Sequence, residues 1–144
     1  MPAPRSTPAP PARDVPPTLH ALLLSDHIYR DEGSGKYVIA GTFHHVNVGA
    51  FPTTLAKTVG VFVCVSGFEG DVDVNLDFTD AESGEVLIRS HSLGFRCDDP
   101  TLPVEFAVEI PPLPFPRPGR YAMRLAANGI VLGEAPVTVD GPGQ

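Results

Sequence analysis

The sequence predicts an all-β protein: a single antiparallel β-sandwich of about eight strands behind a disordered, Pro-rich N-terminal arm. Three observations predict it. Proline and glycine, 17 and 14 of 144 residues, interrupt helices and serve turns. Apolar and polar residues alternate in short runs, the period of a half-buried strand. Turn residues separate those runs at intervals of ~8–12 residues.

The arm is residues 1–17, with seven prolines and only Val15 as a large apolar residue beyond Met1. Such a segment buries too little to offset its conformational entropy, and Pro8-Ala9-Pro10-Pro11 reads as a spacer. The domain follows over 18–140, with 141–144 as a flexible C-terminus. Residues 19–30 and 36–48 read as two strands of a hairpin, joined by a turn whose Gly33 and Gly35 tolerate positive φ. Pairing Arg30 with Lys36 would set His20 opposite Val46, with His44 diagonal to it. After a connection at 51–54, residues 57–68 form a strand with Val59, Val61, Val63 and Val65 on one face and Phe62 and Cys64 on the other. A strand apolar on both faces is central and covered twice.

Residues 71–79 alternate strictly, Val72, Val74, Leu76 and Phe78 against Asp71, Asp73, Asn75 and Asp77. A turn at 81–84 leads to a strand over 85–95, a loop over 96–101 and another alternating strand over 103–110. The Pro-rich 111–119 must cross an end of the fold, with Leu113 and Phe115 plugging it. Residues 120–127 and 130–139 close the chain as a hairpin around Asn128-Gly129, where both turn residues accept left-handed φ. Pro136 places the last strand at an edge or a bulge.

Pro118-Gly119-Arg120-Tyr121 and the closing hairpin resemble the last two strands of an immunoglobulin-like sandwich, with Tyr121 where a tyrosine corner begins. Met123 in place of the second cysteine and the absence of Trp exclude an antibody-type domain. The opening hairpin, Leu22-Leu23-Leu24-Ser25-Asp26-His27 through Ile39-Ala40-Gly41-Thr42-Phe43, resembles an uncharacterised bacterial family known only as a domain of unknown function. So does the ending, Gly119-Arg120-Tyr121 to Val137-Thr138-Val139. The resemblance covers residues 19–139 and implies a small bacterial β-sandwich, with no site or activity attached.

Seventeen acidic against ten basic residues give a net charge of −7, which argues against phosphate backbones and anionic membranes as partners. No apolar run reaches the ~18 residues of a membrane helix. Two cysteines make no disulfide framework, and no signal peptide is visible, so a cytoplasmic location is expected.

No HExxH, CxxC or GxSxG occurs. Gly33-Ser34-Gly35-Lys36 lacks the first glycine and the Ser/Thr of a phosphate loop and reads as a turn. The Asp71–Asp77 stripe has Leu76 where a calcium loop needs glycine; it reads as a solvated face, with a cage shared with Asp98-Asp99 or Glu69 as the alternative. Cys64 reads as a buried hydrophobe and Cys97 as a loop thiol between Arg96 and Asp98.

The chain is therefore read as a non-catalytic binding or assembly module for another protein, with no cofactor and no metal. Its candidate contact residues are Tyr29, Asp31 and Tyr37 in the opening hairpin and Leu113 and Phe115 in the crossing. The alternatives are a small metal-dependent or thiol enzyme using His20, His44 or Cys97, and a carbohydrate- or ligand-binding sandwich.

Overall fold

The computed structural model describes residues 15–90 and 92–142, and those residues contain strands and turns but no helix. In chain order the strands are β1 (Thr18–Arg30), β2 (Tyr37–Thr42), β3 (His45–Asn47), β4 (Thr53–Thr54), β5 (Val59–Ser66) and β6 (Gly70–Asp80). They continue as β7 (Val86–Arg89), β8 (Leu93–Cys97), β9 (Val104–Ile110), β10 (Pro114–Phe115), β11 (Gly119–Ala127) and β12 (Ile130–Asp140). One sheet runs β2-β1-β5-β9; the other runs β3-β12-β11-β6, with β7 and β8 both paired to β6; β4 and β10 form a small ladder.

Period-2 alternation explains the core. Val72, Val74, Leu76 and Phe78 of β6 face Val61, Val63 and Val65 of β5, and Tyr121, Met123 and Leu125 of β11 with Val137 and Val139 of β12 complete the layer. All of these are at most 1% exposed. Phe78 stacks on Tyr121 with ring centroids 5.5 Å apart, and the Phe115 ring meets both. The closing turn has Asn128 at φ 49° and Gly129 at φ 81°, the two left-handed residues of a type I′ hairpin.

Several strands differ from the sequence reading. The second splits at Gly41, whose φ of +73° turns the chain out of the first sheet. A Cβ there would lie 2.4 Å from the Asp26 carboxylate. β2 thus ends at Thr42, and β3 joins the other sheet, parallel to Thr138–Asp140 of β12. Arg30 faces Tyr37, not Lys36, and Val46 faces Val139, not His20. The strand expected over 85–95 is interrupted at Ser90, whose hydroxyl accepts the Leu76 N–H while its own N–H bonds the Leu76 carbonyl. It therefore runs beside β6 as two pieces, β7 and β8.

Of the arm expected to be disordered over 1–17, residues 1–14 lie outside the described residues, and residues 15–17 are described. Pro16 lies against Gly67, at φ +90°, where a Cβ would come within 2.2 Å of the Pro16 carbonyl oxygen. At the other terminus Phe51 lies against Gly141; residues 143–144 are outside the described residues.

Candidate functional site: the opening hairpin

The hairpin of β1 and β2 extends beyond the pairing of β1 with β5. β1 pairs with β5 over Thr18–Ser25 and with β2 over Ser25–Arg30. Beyond Ser25 the hairpin folds back over the outer face of β5: a Cβ at Gly60 would meet Ile28 at 2.9 Å, and the Tyr37 ring sits edge-on to Phe62 at 5.6 Å. That cover buries Phe62, so β5 is enclosed on both faces. Gly60 is small because Ile28 occupies the space above it.

The turn is fixed by side chains of the hairpin itself. Asp31 accepts the Ser34 N–H at 2.9 Å and the Ser34 hydroxyl at 2.8 Å, and the Ser34 hydroxyl accepts the Lys36 N–H. The Ser34 hydroxyl, then the Ser34 N–H, holds the Asp31 carboxyl below its ordinary range. Asp31 thus shapes the turn. The Arg30 guanidinium lies 4.4 Å above the Tyr37 ring and donates to the Tyr37 hydroxyl at 2.8 Å.

Tyr29 pairs with Val38 and Tyr37 with Arg30, so the two tyrosines stand on opposite faces. Tyr37 faces inward against Phe62, whereas Tyr29 is 49% exposed and leans on the His27 ring at 5.6 Å. The sequence had offered both as one surface; the fold leaves Tyr29 outward and makes Tyr37 its brace. Beneath the fold-over lies a cavity of about 290 Å³ with Asp26, His27, Thr58 and Glu109 among its walls. A second, of about 400 Å³, adjoins it between Phe43, Leu55 and Lys57.

Leu113 and Phe115 are 0% exposed. They plug the end of the sandwich and offer no contact surface, because the prolines around them hold the crossing tight over the core. The crossing is tied down by Tyr121, whose hydroxyl donates to the Arg117 carbonyl and accepts the Arg117 N–H. Arg117 in turn grips both carboxylate oxygens of buried Asp80 at 2.7 Å and reaches Glu82 at 2.6 Å.

The residues of the enzymatic alternative are dispersed. His20 sits at a bulge of β1 and bonds the Ser66 hydroxyl at 2.6 Å, a partner 46 positions away that no local motif announces. His44 lies on the crossing between sheets, its carbonyl accepting the Thr138 N–H, while Cys97 is buried at the end of β8. Among the described residues no hydrogen bond or ion pair joins any two of His20, His44 and Cys97. His91 lies outside the described residues. Asp71 of the acidic stripe pairs with Arg96 at 3.4 Å and Asp77 with Arg89 at 3.7 Å. Among the described residues no group of three or more His, Cys, Asp or Glu is placed to hold a metal ion. Nor is any helix there long and apolar enough to cross a membrane.

Fold and hairpin together define a two-sheet β-sandwich domain with a braced, outward-facing tip. The chain belongs to a family of unknown function, DUF6941, whose model matches residues 20–140. No curated protein matches. Among solved structures, the chain is similar to the Pseudomonas fluorescens alkylpurine DNA glycosylase AlkC bound to DNA containing an abasic site analog. The identity is 11% and the TM-score 0.50, over 85% of this chain and 30% of that one. The chain thus spans under a third of that enzyme, and the likeness is one of fold.

Proposed function

We propose that this protein is a non-catalytic binding or assembly module, an immunoglobulin-like sandwich that docks another protein through the outer face of its opening hairpin. The observation that carries this reading is Tyr29, half exposed on a tip whose other face is locked by Arg30, Tyr37 and Phe62. A rigid aromatic that needs no further ordering binds at low entropic cost, and tyrosine and arginine are the residues that most often anchor interfaces. A net charge of −7 favours a protein partner over nucleic acid, despite the DNA bound in the AlkC structure. Unbridged Cys64 and Cys97 are in keeping with a reducing, cytoplasmic setting.

Affinity capture from the protein's own host tests the reading. Tyr29→Ala should keep the wild-type melting temperature and cost the partner about 2 kcal/mol of binding, roughly thirtyfold in affinity. Equal recovery by the folded variant would contradict it. Metal analysis of untagged protein tests the enzymatic alternative, which stoichiometric zinc would favour.

A further inference from the structure

We infer that the free edge of β9 accepts an added β-strand from a basic, extended segment of a partner protein. This surface goes beyond the hairpin tip and uses none of its contact residues. β9 ends its sheet, paired only to β5, from Val59 opposite Ile110 to Val65 opposite Val104. Its outer backbone groups have no strand beside them among the described residues, and such a row is a template for another chain.

Two features specify what fits. The first is an unfinished core. Val61, Val63 and Val65 are 0% exposed, yet their neighbours Val108, Phe106 and Val104, one strand further out, are only partly buried. Across the flank, Ile88 and Arg89 of β7 and Leu93 of β8 line a slot of about 370 Å³ with Val108, Glu109 and Ile110, and Arg89 is answered there by Asp77 at 3.7 Å. A strand laid along β9 would set an apolar side chain into that slot beside Val108 and lay its other apolar side chains beside Phe106 and Val104. The second feature is charge. The outward residues of β9 are Glu105, Ala107 and Glu109, with both glutamates exposed. Glu105 stands opposite Cys64, where burial first and this negative charge second push the thiol pKa up. Glu109 is held by the Thr58 hydroxyl.

A second copy is a poor occupant. In the fully overlapped antiparallel register, pairing about Ala107 sets Glu105 against Glu109 twice, and like charges directly opposite repel. A strand with lysine or arginine at two positions four apart, and apolar residues between on the other face, satisfies both features. Charge then selects the partner and the slot supplies the apolar contact.

The test uses the full chain and three synthetic probes. One is the blocked peptide Lys-Val-Thr-Val-Lys-Val-Thr, the second has glutamate for lysine, and the third has the first one's composition with its alternation scrambled. The lysine peptide should bind best and slow amide exchange in residues 104–110. Glu105→Lys with Glu109→Lys, both on an exposed face, should weaken it about tenfold and reverse the preference toward the glutamate peptide. Tyr29→Ala should leave it unchanged. Equal binding of the scrambled peptide, protection at another edge, or an unaltered preference in the double variant would overturn the inference. So would a concentration-dependent dimer that protects β9, which would give the edge to a second copy. Loss of binding in Tyr29→Ala would move the peptide to the hairpin, sinking this inference while leaving the proposed function standing.

Discussion

Asp80 is buried with a charge, and every oxygen contact it makes serves to keep that charge. Burial alone would raise its carboxyl pKa; the N–H groups of Glu82 and Ser83, with Arg117, outweigh burial and hold it below the ordinary range. An unfolded aspartate titrates at about 3.9. Because the folded value is lower, the contribution of Asp80 is complete above the unfolded value and is lost as pH falls through it toward the folded one. Urea unfolding from about pH 5 to pH 3 should therefore show a steeper loss for the wild type than for Asp80→Asn; parallel curves would contradict this. The partnership was hidden in the sequence because Asp80 and Arg117 lie 37 positions apart. The turn at Asn128-Gly129 was legible, since both residues announce left-handed φ locally. Gly129→Val, forced to φ 81°, should cost ~1–3 kcal/mol, read as a lower denaturation midpoint.

The elements that alternate cleanly were readable, and those that change sheets were not. β6, β9 and the β11–β12 hairpin stand where their apolar periods put them, give or take a residue at the ends. Apolar residues persist through Phe43 and Val46, so the sequence pattern predicts one continuous second strand. Only the Gly41 backbone, crowded by Asp26, shows that the chain leaves one sheet there and joins the other. Leu113 and Phe115 had two sequence readings, plug and contact, and burial leaves only the plug. Tyr37 looked like a twin of Tyr29 because a hairpin's two faces cannot be ranked until one knows what the hairpin folds over. Gly60 is where that fold-over is most sensitive. Gly60→Val would press on Ile28, lift the tip from β5 and part Tyr37 from Phe62. The cost should be ~1–3 kcal/mol of stability, with faster amide exchange across 28–38. A tip that exchanges as in the wild type would show that Ile28 and Tyr37 do not anchor it.

At the scale of the molecule, the sheet faces, edges and hairpin do different things. The outer face of the second sheet carries a cross-strand row of charge, Arg89, Asp77, Arg124 and Glu134, with ion-pair distances of 3.7 Å at one end and 3.9 Å at the other. Its charges alternate in sign along the row, although among the described residues Asp77 Oδ1 and Arg124 Nε make no hydrogen bond. The hairpin tip presents an aromatic with no such internal partner beyond His27, and it is braced from behind. The proposed docking surface is therefore the tip and not the acidic stripe of β6. The most direct measurement is hydrogen exchange of the protein alone and in the complex captured from its host. New protection should concentrate in residues 27–31 of the hairpin and be absent from the acidic face of β6. Protection confined to β6 and β11, with the hairpin exchanging as in the free protein, would contradict it.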